Sequence, residues 1–280
     1  MNNTITPSIA AALSLAGIDP TIERSQLLIA LKYTDKGNAR KVLGRSLKTD
    51  KGLKQGVETC IVYFAASNRA GIQVCPMSGN CATSCLGFNT GMLRFTPNQK
   101  AQTLKTLWFH LFQDDFIATL KGEILRKYKI ATLNGNKCAI RLNGSSDIIW
   151  ERYLNMADFP DVQFYDYTKH RASTRANRAP NYHLTFSLDE KPNAQTYANE
   201  WLAMGGNVAM VVAGMGSKLS DAKQAAQTLV RNGWFGYPVI DGDISDTRFD
   251  DEGGHWVALY AKGTPALHDT SGFVQRIEVK

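Results

Sequence analysis

Short, nearly continuous apolar runs recur along the chain after about residue 55 and alternate with segments of helical periodicity. Apolar runs without polar alternation are typical of strands buried on both faces of a sheet. Their alternation with helices favours a parallel sheet with crossover helices. We therefore predict an α/β fold with a mostly parallel sheet that is open or closes partly or completely into a TIM-like barrel. The predicted strands cover residues 59–64, 139–142, 162–167, 182–186, 207–212, 237–240 and 256–260, and the predicted helices cover residues 102–126, 193–204 and 219–232.

Polar and charged residues end several of these runs. In a parallel sheet the carboxyl ends of the strands share one edge, and binding sites are usually built there. We therefore expect these side chains to face a common mouth. The residues concerned, together with a charged segment after residue 240, are Asn143, Ser145, Ser146, Asp147, Asp166, Thr168, Lys169, Ser187, Asp243 and Arg248.

Each of these groups also has a structural interpretation. Residues 143–147 have the composition of a turn followed by a helix N-cap. Lys169 could simply pair with Asp166. Asp243 and Arg248 could belong to a carboxylate–arginine network that closes the sheet, or to a site for a hard cation.

Three cysteines fall within eleven residues after the first predicted strand: Cys75, Cys81 and Cys85. Thiolates at this density are the ligands that a soft metal or an iron–sulfur cluster requires. Pro76 and Gly79 favour a turn in this loop, and a helix after Cys81 would place the last two sulfurs on one face. We predict that the three cysteines bind metal.

The cysteines have simpler explanations as well. They could be buried thiols that act as small apolar residues, although Asn, Ser, Thr and Gly crowd the segment. A disulfide fits poorly, because the chain starts without a signal-peptide pattern and is expected to stay in the reducing cytoplasm. Cys60 and Cys138 lie in apolar runs and are predicted to be core thiols. Zinc is the alternative metal, with His183 as the best candidate for a nitrogen ligand.

The two ends of the chain differ in pattern. Residues 9–13 and 27–31 are apolar helical pieces, and basic residues follow them. We predict that residues 1–55 form a helical and loop region packed on the main domain. Residues 56–280 are predicted to form a barrel-like, metal-binding α/β domain.

The net charge of the chain indicates the kind of partner that it could bind. The chain has 32 Lys and Arg residues against 25 Asp and Glu residues, a formal net charge of +7. This balance favours an acidic partner such as nucleic acid or a phosphorylated substrate. The excess is partly concentrated in residues 36–54 and 169–178, which could equally be solvated basic faces. No segment approaches the apolar length of a membrane span, so no membrane partner is expected.

The ordered set of motifs resembles a phage and plasmid protein family named for a mycobacteriophage gene product, of the gene product 88 type. The resemblance rests on residues 37–41, 75–85, 141–148, 164–169, 181–187 and 241–263. It covers most of the chain after the N-terminal helices and implies no particular activity. It implies a location in the host-cell cytoplasm if the chain is phage-encoded.

A more distant similarity links the cysteine loop to the radical S-adenosylmethionine enzymes. In that family three thiolates after the first strand of a parallel barrel hold a [4Fe-4S] cluster, whose open iron is chelated by S-adenosylmethionine. Reductive cleavage of that cofactor yields a 5′-deoxyadenosyl radical. The gaps between the cysteines are longer here than is usual in that family, and Leu86 directly follows the last one.

This similarity implies a radical-SAM-like barrel and a role for each candidate residue. Cys75, Cys81 and Cys85 would hold the cluster. The residues implied for cofactor binding are Asn143, Ser145, Ser146, Asp147, Thr168 and Ser187. The residues implied for substrate handling and catalysis are Asp166, Lys169, Asp243 and Arg248.

Three functions follow from these observations. The first is a radical-SAM-like enzyme that acts on a nucleic acid or nucleotide-related substrate and takes electrons from a donor. The second is an iron–sulfur or zinc-stabilised nucleic-acid-binding protein without catalysis. The third is a metal-dependent hydrolase that uses the carboxylates of residues 241–250.

Overall fold

The computed structural model describes residues 4–45, 52–89, 91–176 and 178–278. A strand forms at every apolar run that predicted one. The strands are β1 (Leu43–Gly44), β2 (Val57–Val62), β3 (Lys137–Arg141), β4 (Val162–Thr168), β5 (Tyr182–Ser187), β6 (Asn207–Ala213), β7 (Val239–Asp241), β8 (Trp256–Tyr260) and β9 (Val274–Arg276). The helices are α1 (Pro7–Leu15), α2 (Arg24–Lys32), α3 (Leu86–Asn89), α4 (Thr96–Leu111), α5 (Gln113–Leu133), α6 (Ala194–Ala203), α7 (Leu219–Asn232) and α8 (Thr264–Leu267).

The strands form one mostly parallel nine-stranded sheet, which confirms the α/β prediction. Its order is β1-β2-β3-β4-β5-β6-β8-β7, and β9 pairs with the last part of β6. Among the strands of the described ranges, only the short β1 runs antiparallel to its neighbour, β2. The parallel strands therefore place their carboxyl ends along one edge, as the pattern of buried strands predicted.

The sheet is open, so the expectation of a closed barrel is wrong. No described ladder joins β7 to the other end of the sheet. The segment between β7 and β8 crosses the sheet, and its 3-10 helix, Arg248–Asp250, contacts β4 and β5. Farther across, Ser245 Oγ donates a 3.3 Å hydrogen bond to Gln55 Oε1. This segment fills the face that a barrel would have enclosed.

Alternating side chains of β4 show the two faces of the sheet. Phe164 joins the large apolar core, whereas Tyr165 packs on Phe249 of the crossing segment with 5.1 Å between ring centroids. Successive residues of a strand point to opposite faces, so the two rings lie on opposite sides of the sheet. On the core side, Phe64 stacks on Phe109 of α4 at 5.3 Å.

The helix predicted over residues 102–126 is two helices, α4 and α5. The chain bends at Phe112, which has φ −139° and ψ 57° and so leaves the helical region. Trp108 and Phe116 on either side of the bend meet edge to face at 5.2 Å. The apolar periodicity continues across the bend, which is why the sequence pattern did not show it.

The N-terminal helices pack on α4, where Leu13 and Leu27 join the main core. The N-terminal segment also supplies β1, which extends the sheet beside β2. None of the helices in the described ranges combines the length and the apolar character needed to cross a bilayer.

Candidate functional site

A cleft of about 1100 Å³ opens at the carboxyl edge of the sheet. The loops after β2 and β3 and the ends of β4, β5 and β8 contribute to its wall, and α4 closes one side. Most of the candidate residues come together here, as the shared edge predicted. Those that line the cleft are Cys75, Cys81, Cys85, Asn143, Ser145, Ser146, Asp147, Thr168, Lys169 and Ser187.

The three cysteines lie in the long loop between β2 and α4. Cys81 belongs to a 3-10 helix, Asn80–Ala82, and Cys85 lies just before α3. No single helix therefore carries both Cys81 and Cys85. Cys75 Sγ donates to the carbonyl of Ser145 at 3.5 Å, which brings the loops after β2 and β3 into contact.

The loop after β5 fastens the cysteine loop from the other side. Glu190 Oε1 accepts a 2.7 Å hydrogen bond from the backbone N–H of Asn80. Lys191 Nζ donates to the carbonyl of Met77 at 2.5 Å. The segment between Cys75 and Cys81 is thus held at both of these backbone positions.

Burial controls the protonation of the thiols. It raises the pKa of Cys75 to about 12, and the neighbouring thiols and Asp147 act in the same direction. Burial also raises the pKa of Cys85, with a further contribution from Cys81. Cys75 and Cys85 are therefore protonated thiols at neutral pH, and a metal would have to displace their protons.

The three thiols share one cleft without converging on a point. Within the described ranges, no three His, Cys, Asp or Glu side chains are grouped closely enough to hold a metal ion as the chain stands. His183 is not among the residues that line the cleft. Burial lowers its pKa to about 4, and its Nε2 lies 3.4 Å from Thr185 Oγ1.

Gly87 permits the close approach of the two loops. A Cβ atom at this position would lie 2.9 Å from Ser145 Cβ and 3.3 Å from Cys85 Sγ. The backbone N–H of Gly87 also donates to Cys85 Sγ at 3.3 Å. Any larger residue would push the cysteine loop away from the loop after β3.

Asn143 organises the loop after β3 from within. Its Oδ1 accepts hydrogen bonds from Ser146 Oγ, the Ile148 N–H and Trp150 Nε1, at 2.8, 2.9 and 3.0 Å. Its Nδ2 donates to the carbonyl of Ile148 at 2.9 Å. The Asn143 side chain therefore stabilises the rim of the cleft, by which we mean the loops and strand ends that form its wall.

Two further candidates join neighbouring strand ends. Asp147 accepts 2.9 Å hydrogen bonds from Thr168 Oγ1 and from the Lys169 N–H. Lys169 Nζ donates to the Ser187 carbonyl, to Ser187 Oγ and to the Leu188 carbonyl, at 3.1, 3.2 and 3.1 Å. These bonds fix the rim across β3, β4 and β5.

Three candidates do not line the cleft: Asp166, Asp243 and Arg248. Asp166 is fully buried, and this burial raises its pKa to about 7. Asp243 pairs with Lys262 and accepts from the Tyr260 N–H at 2.8 Å. Arg248 is buried in the crossing segment, where it donates to the Ser245 carbonyl and lies 3.2 Å from Asp251.

Among the cations of the cleft that sequence reasoning missed are Arg141 and Lys105. Arg141, at the end of β3, lies 3.6 Å from Asp246, and the rings of Tyr165 and Tyr167 flank its guanidinium. Lys105 on α4 is only 8% exposed, and burial lowers its pKa to about 8. A lysine inside the apolar run at residues 104–109 was the available signal for the second.

Comparison with known proteins gives a family and no closer relative. Neither a curated protein nor a solved structure matches the chain. The family model described as gene product 88 matches residues 32–277, which include β1 to β9 and every residue of the cleft named above. On the extent of this match, the chain belongs to the gene product 88 family.

Proposed function

We propose that Cys75, Cys81 and Cys85 hold a [4Fe-4S] cluster and that the chain is a radical-SAM-like enzyme. Its substrate would be a nucleic acid or a nucleotide-related molecule bound in the cleft. One observation carries the proposal: the three cysteines line the same cleft as the carboxyl ends of the parallel strands. That edge is where α/β proteins bind their ligands.

The chemistry of the three thiols suits such a cluster, and their sulfurs would have to move closer together to hold it. Three thiols from one loop are soft ligands suited to iron–sulfur chemistry, and they leave one iron without a protein ligand. With S-adenosylmethionine and an electron donor bound, a cluster held by these cysteines would supply the chemistry of reductive cofactor cleavage. The protonated state of Cys75 and Cys85 means that cluster insertion must release protons.

The chain itself would position the substrate and exclude water from the cleft. Asp147 and Lys169 stiffen the rim through the hydrogen bonds described above, so the wall facing the substrate is preorganised. The aromatic ring of Tyr63 and the amide of Gln102 also line the cleft and offer stacking and hydrogen-bonding groups. A volume of about 1100 Å³ accommodates a ligand larger than a single nucleoside.

The second candidate is a nucleic-acid-binding protein in which a zinc ion stabilises the cysteine loop without catalysis. The observation that favours it is charge, because the lining includes Arg45, Lys105, Arg141 and Lys262 beside the cysteines. Phosphate contacts by such residues give sequence-independent affinity.

The hydrolase is not supported to the same degree. Asp241 accepts from the Tyr260 hydroxyl, and Asp243 pairs with Lys262. Asp246 lies 3.6 Å from Arg141. Carboxylates already engaged in this way are poor ligands for a catalytic cation.

Cysteine variants purified without oxygen test the proposal. Cys81→Ala should lose the visible absorbance of the cluster, because one of three ligands is gone. Cys138→Ala is the matched control, since this thiol is buried in the core on β3 and should leave the absorbance intact. Equal absorbance in both variants would refute the ligand assignment.

A further inference from the structure

Arg141 ends β3 and faces the cleft with its side chain 12% exposed. Its Nε has no hydrogen-bond partner within the described part of the chain. The nearest carboxylate is Asp246, 3.6 Å from Nη1, and the Asp246 oxygen in question also has no hydrogen-bond partner there. An ion pair at this distance leaves guanidinium donors unused.

Two other buried arginines of the described chain differ in how far the protein satisfies them: Arg175 is paired at each nitrogen, whereas Arg248 Nε and Nη1 also lack a hydrogen-bond partner. Arg175 directs Nε and Nη2 to Glu151 at 2.9 and 3.0 Å, and its Nη1 donates to Thr168 Oγ1 at 3.1 Å. Its side chain is 0% exposed. Arg141 differs, because its side chain is partly exposed at the cleft and its nearest carboxylate lies at 3.6 Å, beyond hydrogen-bond distance.

Unused guanidinium donors at a cleft wall suit an anionic ligand. The planar fork of arginine binds phosphate or carboxylate oxygens in pairs. Tyr167 lies beside the fork, with its ring centroid 5.3 Å from Arg141 Cζ, and burial raises its pKa to about 12, so its phenol stays protonated. The hydroxyl therefore remains a donor and adds no negative charge.

The charge of the whole lining favours a phosphate over a single carboxylate. Its carboxylates are Asp147 and Asp246, and the first is engaged by Thr168 and Lys169. Cations from five separate parts of the chain contribute to the lining. Two of them already have partners, because Lys169 donates to Ser187 and Lys262 pairs with Asp243, but the positive charge still exceeds the negative charge, so a group with two negative charges is the better match. These cations are Arg45, Lys105, Arg141, Lys169 and Lys262.

We propose that Arg141 forms an anion subsite on the wall of the cleft and that the substrate presents a phosphate group to it. The inference rests on the proposed function, since it takes the cleft as the substrate site, and it identifies the substrate as a phosphate ester. Asp246 keeps the guanidinium oriented toward the cleft. The phosphate binds the guanidinium nitrogens that are accessible from the cleft, whereas the buried Nε stays out of its reach.

Calorimetric titration of the full-length, metal-free protein with inorganic phosphate tests the subsite. Arg141→Gln should weaken phosphate binding by about tenfold or more, as expected for the loss of a charge-assisted pair. Arg231→Gln removes one positive charge from an exposed position on α7 and should leave the affinity unchanged. Acetate should bind more weakly than phosphate to the wild-type protein.

A second variant guards against loss of folding, because Arg141→Gln leaves Asp246 without its cation. The double variant Arg141→Gln with Asp246→Asn removes both charges, and its thermal melting shows whether it folds. Phosphate affinity within twofold of wild type in the folded double variant would overturn the subsite. Acetate binding as tight as phosphate binding, or no phosphate binding to wild type at millimolar concentration, would do the same.

Metal analysis separates this inference from the proposed function. Arg141→Gln purified without oxygen should contain as much iron and sulfide as wild type, because Arg141 is not a cluster ligand. Wild-type protein that binds phosphate through Arg141 but never holds iron would refute the radical enzyme and leave the phosphate subsite standing. Iron without phosphate binding would refute the subsite alone.

Discussion

The hydroxyl of Tyr182 on β5 donates a hydrogen bond to the buried carboxylate of Asp166 on β4, with 2.9 Å between the two oxygens. The same carboxylate accepts from the backbone N–H groups of Leu142 and Asn143, at 3.2 and 2.8 Å. One side chain thus ties three neighbouring strands together. The loop that carries Asn143 and Asp147 into the cleft starts from this junction.

Removal of the Tyr182 hydroxyl should destabilise the fold without touching the cysteines. Tyr182→Phe leaves a buried acceptor with one bond fewer, a loss of about 1–3 kcal/mol in the free energy of unfolding. Chemical denaturation measures it. Tyr128→Phe is the control, because that hydroxyl makes an exposed 3.2 Å bond to Asp161 and should matter less. Equal losses in the two variants would contradict the role of the junction.

Metal affinity should rise with pH. Burial raises the pKa of Cys75 to about 12 and also raises that of Cys85 above its ordinary value, so both thiols are protonated near neutral pH. Each proton released on binding adds about tenfold in affinity per pH unit. Cobalt titration followed by visible absorbance, between pH 6.5 and 8.5, measures the slope.

Two cysteine variants test whether the thiols of the cleft cause this pH dependence. Cys75→Ala should bind cobalt more weakly and with a shallower pH dependence, because one thiol proton is no longer released. Cys60→Ala removes a buried thiol outside the cleft and should keep the wild-type slope. A pH-independent affinity in the wild-type protein would contradict coordination by these thiols.

Substitution of Gly87 should separate the two loops that meet in the cleft. Gly87→Ala places a methyl group 2.9 Å from Ser145 Cβ, and such overpacking costs about 1–3 kcal/mol of stability. The amount of iron or cobalt bound per chain should also fall in Gly87→Ala. Gly122→Ala is the matched control, because nothing lies within 4 Å of the added atom and the helix α5 should gain about 0.5–1 kcal/mol. A Gly87→Ala variant with wild-type stability and occupancy would contradict the close packing.

Anion binding should weaken as the pH rises through about 8. Burial lowers the pKa of Lys105 to about 8, so its ammonium loses its charge in that range. Sulfate is a suitable probe because it stays a dianion throughout, and wild-type affinity should fall several-fold between pH 7 and 9. Lys105→Met should bind sulfate weakly at pH 7 and lose that pH dependence. Persistence of the fall in Lys105→Met would assign it to another group.

Lys105 also makes the stability of the fold depend on pH, because the buried site favours the neutral amine over the charged ammonium. The pKa of Lys105 is lower in the fold than its ordinary value of 10.5. The stability associated with the neutral amine is therefore fully present above pH 10.5 and is lost as the pH falls through about 8. Lys105→Met should accordingly be more stable than wild type at pH 7, with a smaller difference at pH 10.

The local pattern of the sequence was enough to predict the strands and their shared edge. Apolar runs marked β2 to β8, and the polar residues that end them do meet in one cleft. Closure of the sheet depends instead on how residues 242–255 pack across it. The burial of Phe249 on Tyr165 is a contact between residues far apart in sequence, which periodicity does not encode.

Residue type alone does not show which polar side chains at the rim of the cleft already have hydrogen-bond partners. The side chains of Asn143 and Lys169 were predicted as ligand-binding or catalytic groups, yet both are engaged in bonds that build the rim. The Asp166 carboxylate lies on the core side of the sheet and also holds the rim, because it accepts a hydrogen bond from the Asn143 N–H. Arg141 was missed for the opposite reason. Within the described part of the chain its Nε has no hydrogen-bond partner and its carboxylate neighbour lies at 3.6 Å, which is visible only once β3, β4 and the crossing segment are assembled.

The iron, sulfide and zinc content of wild-type protein purified without oxygen tests the central proposal most directly. The account predicts about four iron and four sulfide per chain and little zinc. Near-stoichiometric zinc without sulfide would contradict it and favour a zinc-stabilised nucleic-acid-binding protein, and a chain free of all three would contradict metal binding by the cysteines altogether.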